Sequence, residues 1–527
     1  MIPTEEIQQK LDELDRLKER GCLTADAALV IAARAAELVI EHHANDGGYL
    51  REAVQLICEI AINQDQQIAR AGITALFPLL VERLNDSFDP ANCRLYDQLF
   101  IQVIEFCRRL PAGQRLPAGN RLDAGLKQFG LMNETDLLAR KAGISNLKSQ
   151  IPNPASFKLI KRVLLLSRVT IGADVVVTSA IIAKLRATLP QAEFVILGSG
   201  KLRELYGGDA RIRIREVTYE RGGSLISRLT SWLAVVEAVN EERDGLDENE
   251  FWVIDPDSRL TQLGLLPLVE NDRNYYFFES RSYQGDSKST SIGQLAAHWI
   301  GKIMGNLDPV FPFVALPIEC QKFGQAVTKA IRNPQSAIRN LVAISFGVGG
   351  NHGKRVSDEF EERLVHHLLA DSKLILDKGA SADERELINR IVAGIRRQGR
   401  RVVEINDANK TELADEDLRQ ADVVTWDGSI GAFAGLIAAS DEYIGYDSAG
   451  QHIAAALGVP ALTVFVNSGN ATFAERWRPF GKLKAEVVNV EAAELANSPN
   501  FTNDVLMRTC SLHRKINADN AVAPKRD

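Results

Sequence analysis

A chain of 527 residues is too long for one compact core, and about three domains is the natural expectation. With 45% hydrophobic and 25% charged residues it has the composition of a globular protein, and a formal net charge of −7 gives no general reason to expect nucleic-acid binding. No apolar run is long enough for a membrane span, the polar, acidic N-terminus is not a secretory signal, and the 6 scattered cysteines form no Cys-x-x-Cys pair. A cytoplasmic protein without disulfides or zinc is expected.

Residues 1–150 read almost entirely as helix. Charges recur at helical spacing over Glu5–Arg20, and Ala25–Ile40 is nearly all helix formers. Apolar residues at three- and four-residue spacing predict helices over Leu50–Asn63, Ile68–Leu84 and Tyr96–Leu110. The proline-rich Ile151–Pro154 reads as a linker, which makes the helices a separable N-terminal domain without catalytic spacing.

From Lys161 the grammar changes to alternating strand and helix. Strands are predicted at Arg162–Leu166, Glu193–Leu197, Ile212–Val217 and Phe251–Asp255, with helices at Ser179–Leu189 and Leu225–Asn240. A second such unit begins near Asn340, with strands at Leu341–Phe346, Ser372–Leu376, Arg401–Ile405, Asp441–Gly445 and Ala461–Val466. Helices at Phe360–Leu369, Glu384–Gln398 and Ile430–Ala439 fall between them. This alternation is the mark of doubly wound parallel sheets. The domains expected are 1–150 (helical), 155–335 and 338–487 (each Rossmann-like), and 488–527 (a partly helical tail). Ligands of such sheets bind beyond the carboxyl ends of the strands.

Four loops at those ends carry candidate chemistry. After the first strand comes S-R-V-T-I-G-A-D, in which Asp174 could take a proton from an incoming hydroxyl or could merely cap the next helix. Ser345–Ser357, S-F-G-V-G-G-N-H-G-K-R-V-S, could wrap a phosphate with its backbone amides, including those near Gly349 and Gly350, with Lys354 and Arg355 to neutralise it. It is not a Walker loop, because Lys354 is followed by Arg355, and a plain flexible turn is the alternative. Asp383 and Glu384 could grip ribose hydroxyls or could complement a helix dipole. Most informative is Asp447–Pro460, D-S-A-G-Q-H-I-A-A-A-L-G-V-P, where a strand, a polar turn and a small-residue helix place unpaired amides at a helix start. His452, in the first turn, can add a hydrogen bond or a positive charge; an ordinary capped helix is the plainer reading.

Together these segments resemble the heptosyltransferase family of glycosyltransferases, which builds the inner core of lipopolysaccharide. The resemblance runs from about Lys161 to Gly481 and is strongest in D-S-A-G-Q-H-I-A-A-A-L-G-V-P and Trp477–Gly481, W-R-P-F-G. R-V-T-I-G-A-D with L-R-A-T-L-P-Q-A-E-F is similar to a second family pattern, and the glycine loop and G-A-S-A-D-E follow in the family's order. The chain departs from the family at Gly172-Ala173-Asp174, where the family writes Gly-Asp, at Ala449, where it usually has Gly, and in carrying the helical segment before residue 150.

The resemblance implies a GT-B fold: two Rossmann-like domains facing a cleft, the first on the acceptor side and the second on the nucleotide-sugar side, here preceded by an all-α domain. It implies an inverting, metal-independent transferase without a cofactor, acting from a nucleotide-diphosphate sugar such as ADP-heptose on a glycan, lipid-linked or protein acceptor. Asp174 would be the general base, and Lys354, with amides near Gly349 and Gly350, would stabilise the diphosphate. Asp383 or Glu384 would bind the ribose, and Asp447, Ser448, Gly450 and His452 would hold the diphosphate at the helix start. A protein partner could dock on the N-terminal helices, and the site of action would be the cytoplasm or the inner face of its membrane. The competing expectation is a catalytically degenerate domain that binds nucleotide sugar or serves as a scaffold.

Overall fold

The computed structural model describes residues 3–42, 48–110, 117–146, 154–220, 222–286, 290–332, 338, 340–410, 415–466, 471–491, 494 and 500–522. The expected linker, Ile151–Pro154, lies outside them except for Pro154. The chain divides into two compact units. One comprises Met1–Val169, Val195–Ser199 and Arg215–Gln284, the other Thr170–Phe194, Gly200–Ile214 and Gly285–Asp527.

The first unit is built on helices Pro3–Glu19, Ala25–His42, Gly48–Ala61, Gln66–Thr74, Pro90–Arg109, Pro117–Gln128 and Glu134–Asn146. The helix expected to run unbroken through Ile68–Leu84 instead passes into a π-helical stretch, Ala75–Val81, around Pro78. Proline has no amide hydrogen to continue the α-helical ladder, which accounts for the interruption. Beside these helices stands a five-stranded sheet of β1 (Arg162–Leu166), β2 (Glu193–Gly198), β3 (Ile212–Glu216), β4 (Phe251–Asp255) and β5 (Tyr275–Phe277), in the order β3-β2-β1-β4-β5. β4 runs parallel to both β1 and β5.

Helices and sheet share one core. The same apolar cluster takes in Ile57, Leu99 and Leu126 from the helices, Leu164 and Val253 from the strands, and Trp232 from helix Leu225–Arg243. At Gly125 a Cβ would stand 2.6 Å from Leu233 Cδ2 and 3.1 Å from the Trp232 ring, so a larger residue would make the Leu233 side chain give way. Lys141 Nζ donates to Leu263 O at 2.6 Å, and Arg140 donates to Gly264 O and Asp272 Oδ1, each at 2.8 Å. The separability expected of residues 1–150 is therefore corrected: their amphipathic faces close on the first sheet as well as on one another.

The second unit contains a seven-stranded sheet of β6 (Asn340–Ser345), β7 (Ser372–Asp377), β8 (Val402–Asn406), β9 (Val423–Asp427), β10 (Glu442–Tyr446), β11 (Ala461–Val466) and β12 (Glu486–Val490). Its order is β12-β11-β10-β6-β7-β9-β8, with parallel pairing throughout. The fold class read from the sequence, two doubly wound α/β sheets preceded by helices, is the one observed. The tail is more than a trailing segment: helix Phe501–Val522 puts Val505, Leu506 and Cys510 into the second core, and His513 Nδ1 lies 2.7 Å from Glu442 Oε2, both residues buried. No helix among the described residues is long and apolar enough to cross a membrane.

Candidate functional site

The strand order of the second sheet reverses between β6 and β10, since β7 to β9 extend from one side of β6 and β10 to β12 from the other. At such a switch point the loops leaving two adjacent strands diverge and open a crevice for ligands. The glycine loop leaves β6 there, and Asp447-Ser448 leaves β10.

The helix after β10, Ala449–Leu457, starts unusually for this sheet. Ser357, Ser381 and Ser429 each cap their helices by accepting a backbone amide, whereas Ser448, at the same position, makes no side-chain cap bond. The first-turn amides of Ala449–Leu457 are thus left for another acceptor, and the helix dipole favours an anion. Gly450 serves by its size rather than by backbone freedom: it lies within the helix, and a Cβ there would come 2.1 Å from the Tyr443 hydroxyl.

Lys354 reaches this helix start from the glycine loop. Gly349 (φ +61°) and Gly350 (φ +84°) take left-handed conformations that only glycine adopts freely, and a short 3₁₀ turn at His352–Lys354 follows. Lys354 Nζ donates to Asp447 Oδ2 at 2.6 Å and lies 5.6 Å from the centroid of the Phe473 ring. Asp447 Oδ1 accepts from Gln451 Nε2 at 2.7 Å. A carboxylate repels a diphosphate, so the geometry suits Asp447 to aiming Lys354 and the Gln451 amide rather than touching phosphate itself.

Two other candidates have structural duties. Arg355 is bound by Asp358 at 2.6 Å and by the buried Glu361, whose Oε1 also accepts from Tyr446 Oη at 2.9 Å. It fastens the glycine loop to β10 and is not free to neutralise a phosphate. Glu384 accepts from Val348 N at 3.0 Å through one oxygen, and from Ala380 N at 2.8 Å and Ser381 N at 3.1 Å through the other. Burial would raise its pKa, but these amides outweigh burial and hold the carboxyl below its ordinary value. It completes a capping box with Ser381, a pattern present in the sequence as S-A-D-E. Asp383 remains exposed, its Oδ2 3.5 Å from His352 Nε2.

A carboxylate that the sequence reading passed over, Asp377, ends β7 beside the glycine loop and accepts from Ser345 Oγ at 2.9 Å. Desolvation of its carboxyl pushes its pKa up to about 6. Its only signal in the sequence is its position at the end of a strand.

His452 is 4% exposed, and burial, partly offset by Asp447, lowers its pKa to about 4. It is neutral near pH 7 and can offer a hydrogen bond but no charge. Its Nδ1 has no hydrogen-bond partner, which leaves that atom available to a ligand. Because an unfolded histidine titrates near 6.5, the unfolded chain binds the extra proton between about pH 6.5 and pH 4 while the folded one does not. Stability from this residue is complete above pH 6.5 and falls by about 3 kcal/mol as the pH drops to 4. Denaturant melts of wild type and His452→Gln over that range should differ in slope, the Gln variant losing less stability on acidification; parallel slopes would show that His452 titrates normally.

The turn from Thr170 to Asp174, which belongs to the second unit, meets this helix start. A Cβ on Gly172 would lie 3.1 Å from Ala449 Cα and 3.2 Å from His452 Cδ2, so glycine here permits close approach to the helix. Asp174 is not a helix cap. Thr170 occupies the N-cap position, a helical turn covers Ile171–Ala173, and Asp174–Thr178 continues as a π-helix into Ser179–Thr188. Asp174 is 1% exposed, and its Oδ1 accepts from Thr178 Oγ1 at 2.9 Å.

Comparison with known proteins bears out the resemblance where the sequence motif is strongest. Residues 427–507 match the model of glycosyltransferase family 9 (heptosyltransferase), a stretch that includes β10, the Asp447 loop and Trp477–Gly481. No curated protein matches the chain. Among solved structures, the chain is similar to the glycosyl transferase family 9 protein of Veillonella parvula, at 13% identity over 69% of this chain and 99% of that one, with a TM-score of 0.48. It is also similar to E. coli heptosyltransferase WaaC with ADP (17%, 68% and 99%, TM-score 0.44) and to E. coli ADP-heptose lps heptosyltransferase II (15%, 66% and 99%, TM-score 0.41).

Proposed function

We propose that this chain is an inverting glycosyltransferase that moves a sugar, plausibly heptose from a donor such as ADP-heptose, to a glycan, lipid-linked or protein acceptor. The observation that carries this reading is the uncapped start of helix Ala449–Leu457, with Lys354 directed to it from the glycine loop at the switch point of the sheet. When a sugar–phosphate bond breaks, negative charge grows on the departing nucleoside diphosphate. Oriented amides and a lysine stabilise that charge more in the transition state than in the ground state.

In this reading Lys354, the first-turn amides at Ser448–Gly450 and the loop amides near Gly349 and Gly350 hold the diphosphate. Asp447 keeps Lys354 in place, neutral His452 donates or accepts through Nδ1, and Asp383 is the residue of its pair left to meet the ribose. Asp174, oriented by Thr178, takes the proton of the acceptor hydroxyl as its oxygen attacks the sugar carbon opposite the leaving group. The burial of Asp174 favours one second reading, a nucleotide-sugar-binding domain that does not transfer.

A thermal-shift panel of nucleoside diphosphates and their sugars tests the proposal. A true ligand at 100 times its dissociation constant should add about 2.7 kcal/mol of stability, and no response to any member of the panel would refute the site. With a responsive donor and an acceptor in hand, turnover should persist after treatment with a chelator, because protein groups supply the positive charge. Activity lost to the chelator and restored by magnesium or manganese would overturn that account of the leaving group.

A further inference from the structure

A large cavity lies elsewhere, in the first unit. It has a volume of about 1630 Å³ and is walled by helices Gly48–Ala61, Gln66–Thr74 and Pro90–Arg109. The loop that follows β3 closes it at Gly222–Ser224, where helix Leu225–Arg243 begins.

Its size exceeds the roughly 300–1,000 Å³ of ordinary small-molecule pockets and suits a polymer segment. Its charge reverses that of the chain: five basic side chains, Lys18, Arg51, Arg70, Arg109 and Arg228, line it against two acidic ones, Glu59 and Glu105. Glu59 pairs with Lys18 at 3.0 Å, Glu105 with Arg108 at 2.8 Å and Arg109 at 3.3 Å, and Arg51 meets Glu134 at 3.0 Å, so the lining keeps a net positive charge although Lys18, Arg51 and Arg109 already have carboxylate partners. The floor is aliphatic over Val54, Ile62, Ile73 and Ile226, with Phe106 as its one aromatic ring. Gln102 also lines the groove, and its Oε1 is shielded from solvent with no hydrogen-bond partner.

We infer that this groove docks a polypeptide segment bearing acidic and apolar side chains. Aliphatic walls between helices match leucine- or valine-like anchors, and the excess of basic residues matches carboxylates. A sugar chain would find one aromatic ring to stack on, and a flat bilayer cannot enter a concave groove. The inference stands on the groove alone; calling the bound polypeptide the sugar acceptor rests on the proposed transferase function.

Fluorescence anisotropy on the full chain tests it with a labelled amphipathic peptide carrying Glu on one helical face and Leu on the other. Binding should weaken as salt is raised, and should fall tenfold or more in R51E/R70E/R109E, three exposed side chains outside the nucleotide site. A neutral Gln-for-Glu peptide should bind as poorly as the variant does to the acidic one. If the triple charge reversal unfolds the chain, R51Q/R70Q/R109Q should still show the loss. No binding by wild type, or equal binding by a folded variant, would overturn the inference. So would preference for an anionic oligosaccharide or for phosphatidylglycerol vesicles over the peptide. Thermal shift with ADP on the same samples separates the two ideas, because either can fail while the other stands.

Discussion

Asp174→Asn should lower transfer by about two to four orders of magnitude while the protein still folds and ADP affinity does not fall. Asparagine keeps the size of aspartate and can still accept from Thr178 Oγ1, but its amide cannot take a proton. Removing a negative charge near a diphosphate site cannot weaken the diphosphate's binding by repulsion. Asp174 is held in mid-helix by backbone geometry rather than by capping, so a purely structural role predicts a lowered melting temperature with turnover per folded molecule unchanged. Single-turnover rates and melting curves of the same preparation distinguish the outcomes. A folded Asn variant with near-wild-type turnover would remove Asp174 from the chemistry and leave the donor site as the only function supported.

A chain beginning at Ala155 should fail to fold its first sheet. Such a truncation strips the helical side of the shared core, exposing apolar surface around Trp232, Leu229 and Val253, all of which are buried. Burying a large apolar side chain contributes roughly 1.5–3 kcal/mol, so losing the cover over several such residues is comparable with the whole 5–15 kcal/mol by which a typical domain is stable. The expected signs are aggregation, or dye binding to exposed apolar surface, together with loss of cooperative unfolding in the first unit. A soluble, cooperatively melting truncated chain would show that the helices are an appendage.

Most strands were legible in the sequence because parallel strands buried on both faces are continuous apolar runs; R-V-L-L-L at Arg162–Leu166 and F-W-V-I-D at Phe251–Asp255 match β1 and β4 residue for residue. β5 escaped because Tyr275–Phe277 is only three residues long, and β9 and β12 because V-V-T-W-D and E-V-V-N-V are short and mixed with polar residues. The sharing of the core was not legible, since periodicity shows that a helix has an apolar face but not what that face meets.

The same limit applies at the candidate site. The Asp447 motif showed a helix start after a strand through residue types alone. That Ser448 leaves the helix uncapped while three neighbouring serines do not is a matter of side-chain geometry. Arg355 read as a phosphate partner because nothing in the residue types shows that Asp358 and Glu361 take it, with Glu361 held in turn by the sequence-remote Tyr446. Glu384 read equally as a ribose ligand or a helix-start acid, although its capping box was written in the sequence, because an acid at a helix start fits both roles. The π turn that Asp174 opens has no sequence signature of its own.

The central claim is that Lys354 and the Asp447 helix start form a nucleoside-diphosphate site. Calorimetric titration of ADP into wild type and Lys354→Ala tests it most directly. Wild type should bind at one site, and the variant, folded by circular dichroism, should lose about 1.5–3 kcal/mol, the scale of a hydrogen bond to a charged group. An unchanged affinity in the folded variant would contradict the account, as would the absence of binding in wild type to ADP and to the other nucleoside diphosphates.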